Sequence, residues 1–161
     1  MSWPAPAKLN LMLHIIGRRE DGYHDLQTVF QFIDFVDELE FRPRKDDKIV
    51  RISEGFELPQ DEDIIIRAAR MLRERYQHDN PSAGFCCGVD IKLTKNIPMG
   101  AGLGGGSSDA AAALVLESRR FSVSFDEVRS LAVALGSDVP FALVGGTAIV
   151  TGRGEFVAPL P

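Results

Sequence analysis

Pro98-Met-Gly-Ala-Gly-Leu-Gly-Gly-Gly-Ser-Ser-Asp-Ala-Ala-Ala-Ala113 is the stretch on which the reading of this chain turns. Five glycines fall between positions 100 and 106, followed by Ser107, Ser108, Asp109 and four alanines. Glycine reaches backbone conformations closed to other residues and lets a ligand come close to the main chain. Alanine is the best helix former, and Leu114, Val115 and Leu116 continue the run. The stretch therefore predicts a loop that feeds a helix. Ser107, Ser108 and Asp109 stand at the expected helix start, where side-chain oxygens cap free N–H groups. A helix N-terminus carries unpaired N–H groups and partial positive charge, a combination that binds phosphate. The expectation is a phosphate cradle rather than a flexible Gly/Ser linker, since a linker does not run from a patterned strand into an alanine-rich helix.

Two better-known phosphate patterns fit less well. The spacing from Gly100 to Gly105 is that of a P-loop, but the next residue is Gly106, where that motif needs lysine. Gly100, Gly102 and Gly105 satisfy G-x-G-x-x-G, with Asp126 about 20 residues on as a ribose acid. Against that dinucleotide-binding oxidoreductase reading, Pro98 interrupts the turn from strand to loop, and several extended stretches precede the motif.

Outward from the loop, Val89-Asp-Ile-Lys-Leu-Thr-Lys95 alternates as a strand that delivers the chain to the glycines. Beyond the loop helix, Ser124-Phe-Asp-Glu127 is a capping box, with Val123 and Val128 placed as its hydrophobic staple. That helix is expected to run to Leu135 and stop at Gly136. Gly136-Ser-Asp-Val-Pro140 then sets Asp138 between a helix end and a proline-fixed turn, where an aspartate commonly serves the turn itself. Thr147–Thr151 and Phe156–Val157 read as strands joined by Gly152-Arg-Gly154.

Toward the N-terminus, residues 8–16 alternate, with Leu9, Leu11, Leu13 and Ile15 on one face and Lys8, Asn10, Met12 and His14 on the other. Lys8 and Asn10 thus share a side, and His14 reads as structural or exposed rather than catalytic. A polar turn at 17–22 leads to Tyr23 and His24, which could stack on and hydrogen-bond a planar ligand or simply cover the core. Residues 26–35, 37–42 and 49–52 read as extended. A helix from about Ile64 to Tyr76 places Ile65, Ala68, Ala69, Leu72 and Tyr76 at helical spacing and sends Arg67, Arg70, Arg73 and Arg75 to wetter faces. The whole is expected to form one α+β domain.

A net charge of -5 argues against a nucleic-acid partner, which selects a strongly basic face. No apolar run approaches the ~20 residues that span a bilayer. Cys86 and Cys87 are adjacent, giving neither a disulfide framework nor zinc-ligand spacing. Together these predict a cytoplasmic protein with a small-molecule partner.

Four stretches occur in a telling order: Pro-Ala-Lys-Leu-Asn at 6–10, Asp-Gly-Tyr-His at 21–24, the glycine loop, and Gly-Ser-Asp-Val-Pro at 136–140. The chain resembles the superfamily of galactokinase, homoserine kinase, mevalonate kinase and phosphomevalonate kinase. The triple-glycine form Gly-Leu-Gly-Gly-Gly-Ser-Ser-Asp-Ala-Ala is similar to that of the 4-diphosphocytidyl-2-C-methyl-D-erythritol kinase family of non-mevalonate isoprenoid biosynthesis. The resemblance implies the N-terminal domain fold of these kinases, with helices packed on a mixed or antiparallel sheet, and transfer of phosphate from ATP to the 2-hydroxyl of the cytidyl substrate.

By that resemblance ATP would be bound by Lys95, Pro98, Met99, Gly100, Ala101, Gly102, Leu103, Gly104, Gly105, Gly106, Ser107 and Ser108. Asp138 would take the hydroxyl proton, with Lys8 as its catalytic partner. Asn10 would position the methylerythritol part, Tyr23 and His24 would contact cytosine, and Phe30 would lie near the same pocket. Mg²⁺ would bridge the phosphates, with Ser107 or Ser108 as candidate ligands and no acidic ligand identified. The family usually carries Asn where this chain has Ile64. It also has a C-terminal domain, so residues 1–161 are expected to be the N-terminal ATP-binding domain alone. That missing domain or a homodimer partner would cover the apolar surface left open, and the short chain could bind nucleotide without turnover.

Overall fold

The sheet is assembled on one strand. In the computed structural model, which describes residues 2–20, 22, 24–53, 58–81 and 88–161, β2 runs unbroken over His24–Pro43. The sequence suggested two extended segments here; the structure runs them together as one strand, with the register against β1 shifting between residues 32 and 36 and the β5 and β4 pairings falling on either side of that join. β1, Ser2–Arg18, pairs antiparallel along almost all of β2. The other edge of β2 is shared end to end: β5 (Thr147–Gly152) pairs with residues 26–31, and β4 (Val89–Thr94) with residues 38–43. β3 (Ile49–Ile52) lies parallel to β4, and β6 (Phe156–Pro159) antiparallel to β5.

β1 extends further than the alternation at 8–16 suggested. Its register shifts between Pro6 and Lys8, Asn10 and Met12, and Ile15 and Gly17. Each shift breaks the two-residue period, so the apolar row is not carried onto a core. Leu9, Leu11, Leu13 and Ile15 are between 40% and 66% exposed.

Helices cover one side. α1 (Ile64–Asp79) starts where Asp63 Oδ1 accepts the N–H of Ile65 at 2.7 Å, and Asp63 also pairs with Arg51 at 3.0 Å in a buried contact. The arginines of α1 face outward as expected: Arg70 pairs with Asp61 and Arg75 with Glu127. α2 (Gly105–Phe121) packs between α1 and the sheet. Its alanines 110–113 are all buried, and their small side chains let the helix lie close to its neighbours. α3 (Phe125–Leu135) opens with the expected capping box, Ser124 and Glu127 each accepting from the other's backbone N–H.

Two local readings change. α2 begins at Gly105 with Gly104 as a left-handed N-cap and no side-chain cap, so Ser107, Ser108 and Asp109 are not capping residues. The turn expected after Gly136 is a short helix, α4 (Val139–Val144), admitted because Pro140 falls in its first turn. Among the described residues no helix is long and apolar enough to cross a membrane. Tyr23, Cys86 and Cys87 lie outside the described residues.

Candidate active site

Lys8 is the residue from which the site is built. It sits on β1 with its side chain buried, and its backbone N–H donates to the carbonyl of Leu103 in the glycine loop at 2.8 Å. Its Nζ donates to Asn10 Oδ1 at 2.6 Å and lies 3.4 Å from Asp138 Oδ2. The same ammonium stands 4.2 Å above the ring of Phe30, a cation–π contact. Phe30 is itself 3% exposed and packs edge-on against Phe141 of α4. Phe30 therefore meets the site from beneath Lys8.

Asp138 occupies the N-cap position of α4, yet its carboxylate makes no capping bond there. The side chain is one-third exposed and turned toward Lys8.

The loop closes the other side. Gly100, Gly102 and Gly104 all have positive φ, so alternate residues of the loop turn through the left-handed region. At Gly104 space matters as well, since a Cβ there would fall 2.9 Å from Lys8 Cγ. The loop can lie over the lysine stem only because that side chain is missing. The first-turn N–H groups of α2 have no intrahelical partner and no side-chain cap.

Residues 98–107 line an open cleft of about 360 Å³, joined by Lys95 and Asp109 and walled on one side by Leu58, Asp63, Ile64, Ile65 and Leu93. The wall is largely apolar and the floor offers main-chain donors, a division that suits a flat heterocycle bearing phosphates. Ile64 keeps its place on that wall, where it can pack but cannot hydrogen-bond. Ser107 lines the cleft, whereas Ser108 is buried.

Lys95 reaches the cleft but is engaged elsewhere, its Nζ donating to Asp37 Oδ2 at 2.5 Å and to Asp109 Oδ2 at 2.8 Å. Burial opposes its charge, but the two carboxylates prevail and raise its pKa. Burial pushes the Asp109 carboxyl up to about 7, Lys95 pulling the other way and Asp37 adding to the rise. Asp37 carries no motif, and sequence reasoning passed over it.

His24 is exposed near the far end of the β1–β2 hairpin, where it pairs with Arg18. Phe30 lies six positions further on, about 20 Å along β2. Asp126 lines a different groove with Arg129 and Glu155, away from the glycine loop. With the predominantly antiparallel sheet, this removes the dinucleotide-binding reading. Among the described residues no group of three or more His, Cys, Asp or Glu could hold a metal ion.

The chain is 49% identical over 159 residues to a 4-diphosphocytidyl-2-C-methyl-D-erythritol kinase of Ralstonia nicotianae, covering 98% of this chain and 53% of that protein. It is 46% identical over 162 residues to the enzyme of the same name from Chromobacterium violaceum, covering 99% and 55%. A crystal structure of 4-(cytidine 5'-diphospho)-2C-methyl-D-erythritol kinase superposes with a TM-score of 0.79 at 41% identity, over 99% of this chain and 55% of that one. The chain thus spans about half the length of the curated relatives it matches. Residues 63–146, from the cap of α1 to the turn before β5, match the GHMP kinases N terminal domain, and the chain belongs to that kinase family.

Proposed function

We propose that this chain is the nucleotide-binding part of a 4-diphosphocytidyl-2-C-methyl-D-erythritol kinase, transferring the γ-phosphoryl group of ATP to the substrate 2-hydroxyl in non-mevalonate isoprenoid precursor biosynthesis in the cytoplasm. The observation that carries this reading is Lys8. One side chain faces Asp138 at 3.4 Å while its own backbone holds the glycine loop.

Phosphoryl transfer leaves the protein mainly with positioning and charge stabilisation. The loop and the head of α2 would take the ATP phosphates on main-chain N–H groups, with the adenine against the apolar wall. Asp138 would accept the hydroxyl proton as the oxygen attacks. A carboxylate is a weak base, but in a loose transition state the proton can leave late. Lys8 would hold the Asp138 carboxylate and the attacking oxygen in line and offset the charge that develops between them. Phe30 keeps the ammonium in place from below, and Asn10 Oδ1 accepts a hydrogen bond from it. Asn10 would also orient the methylerythritol part, with His24 and Tyr23 toward the cytosine.

Mg²⁺ bound to phosphates needs few protein ligands and favours hard oxygen donors. The Ser107 hydroxyl at the head of α2 fits that need, and the cation would there neutralise phosphate charge.

The test is ATP-to-ADP turnover by the intact protein with the diphosphocytidyl substrate. Asp138→Ala should lower kcat by about 10²- to 10⁴-fold, with KM for ATP changed by no more than about twofold. An intact protein that ignores this substrate but phosphorylates another alcohol would keep the kinase and discard the substrate.

A further inference from the structure

The glycine loop is held at both ends by one cluster of charges. Lys95 is the residue that follows β4, and Asp109 lies one turn into α2. The Lys95 ammonium bridges the carboxylates of Asp109 and of Asp37, the latter fully buried on β2. The second oxygen of Asp37 accepts the backbone N–H groups of Asn96 at 2.6 Å and Ile97 at 2.8 Å, the first two steps of the loop. Strand, loop start and helix are thereby tied at one point. The first turn of α2 rests directly on it, since a Cβ at Gly105 would fall 3.1 Å from Lys95 Nζ and 2.9 Å from Ile97 Cγ2.

This arrangement is a poor way to gain stability. Two carboxylates share one ammonium in the interior, and the second oxygen of Asp109 has no hydrogen-bond partner. Apolar side chains of similar volume often serve a core as well or better. The cluster does supply a fixed relation between the strand and the helix head across a loop rich in glycine, which is otherwise free to wander.

We infer that Asp37, Lys95 and Asp109 are positioning residues that set the glycine loop for nucleotide phosphates, Lys95 acting as the bridge rather than as a contact to the base. The inference rests on the nucleotide-binding reading of the loop. It places the effect in nucleotide affinity, apart from the transfer step at Lys8 and Asp138.

The experiment measures Kd for a non-hydrolysable ATP analogue by calorimetry, together with steady-state kinetics, in the intact protein. Asp109→Ala should raise Kd and KM for ATP by about tenfold or more, leaving kcat and KM for the alcohol within about twofold. Asp109→Asn, whose amide oxygen can still accept from Lys95, should recover most of the loss. Asp37→Asn keeps an acceptor for the backbone N–H groups of Asn96 and Ile97 but weakens the hold on Lys95, and should give the same signature where Asp109→Ala fails to fold. Folded variants that bind the analogue as tightly as the unchanged protein would reduce the cluster to a purely structural role. An unchanged protein that binds no nucleotide overturns the loop reading and this inference together. Tight analogue binding without phosphorylation of the diphosphocytidyl alcohol overturns the substrate alone and leaves the positioning role standing.

Discussion

Glu117 shows how a single side chain on α2 trades stability against pH. It is 3% exposed, and burial raises its pKa above the ordinary glutamate value, opposed by Arg120 at 3.3 Å. The folded protein therefore holds this proton to a higher pH than the unfolded chain does. Its contribution to stability is fully present below the unfolded pKa and is lost as pH rises through the raised folded value. Glu117→Gln should leave Tm within about 2 °C at pH 4.5 and raise it by a few degrees at pH 8, read by thermal melts at both values. A melting difference that shrinks toward pH 8 would show that the Arg120 pair outweighs burial. At this scale the shared side of Lys8 and Asn10 was legible from strand alternation, whereas Asp138 read by itself as a turn aspartate and was joined to Lys8 only through the family resemblance. Asp37 was not legible. Nothing local separates a buried acid that holds a loop fifty-nine and sixty positions on from one that ends a strand.

Among the elements, the turn between β5 and β6 bears on the site without lining it. Gly154 has φ of +124°, and a Cβ there would fall 2.1 Å from the carbonyl oxygen of Ser137, the residue before Asp138. Gly154→Ala must move either that turn or the N-terminus of α4. The expected result is a kcat lowered about 10- to 100-fold by displacement of Asp138, with KM for ATP little changed. Steady-state kinetics decide it, and an unaltered kcat would mean that the turn yields instead. The capping box of α3 could be read from sequence because caps are chemistry between near neighbours. The start of α2 could not. Its cap is a backbone conformation of Gly104, selected by the side chain of Lys8 nearly a hundred residues away.

For the molecule as a whole, the sharing of one β2 edge by β4 and β5 determines where the sheet is firm. Residues 26–31 and 38–40 of β2 have partners on both sides, whereas β1, among the described residues, has a partner on one side only. Amide hydrogen exchange should be slowest in those two parts of β2 and fast at the outward amides of β1. Equal protection of both strands would point to something covering the free edge of β1. The α+β class was legible from the alternation of periods. The continuity of β2 was not, because it depends on partners distant in the chain.

That shared edge also constrains what insertions and deletions the chain can accept. Phe30 beneath Lys8 and Asp37 beside Lys95 are fixed on the same strand, about 23 Å apart at the rise of a β-strand. One residue gained or lost between them would turn one of the two to the opposite face and slide the acceptor side past the phosphate side by about 3.3 Å. Length variation among related chains should therefore gather in the hairpin turn at 17–22 and the loop at 44–48, while the interval from 30 to 37 keeps its count.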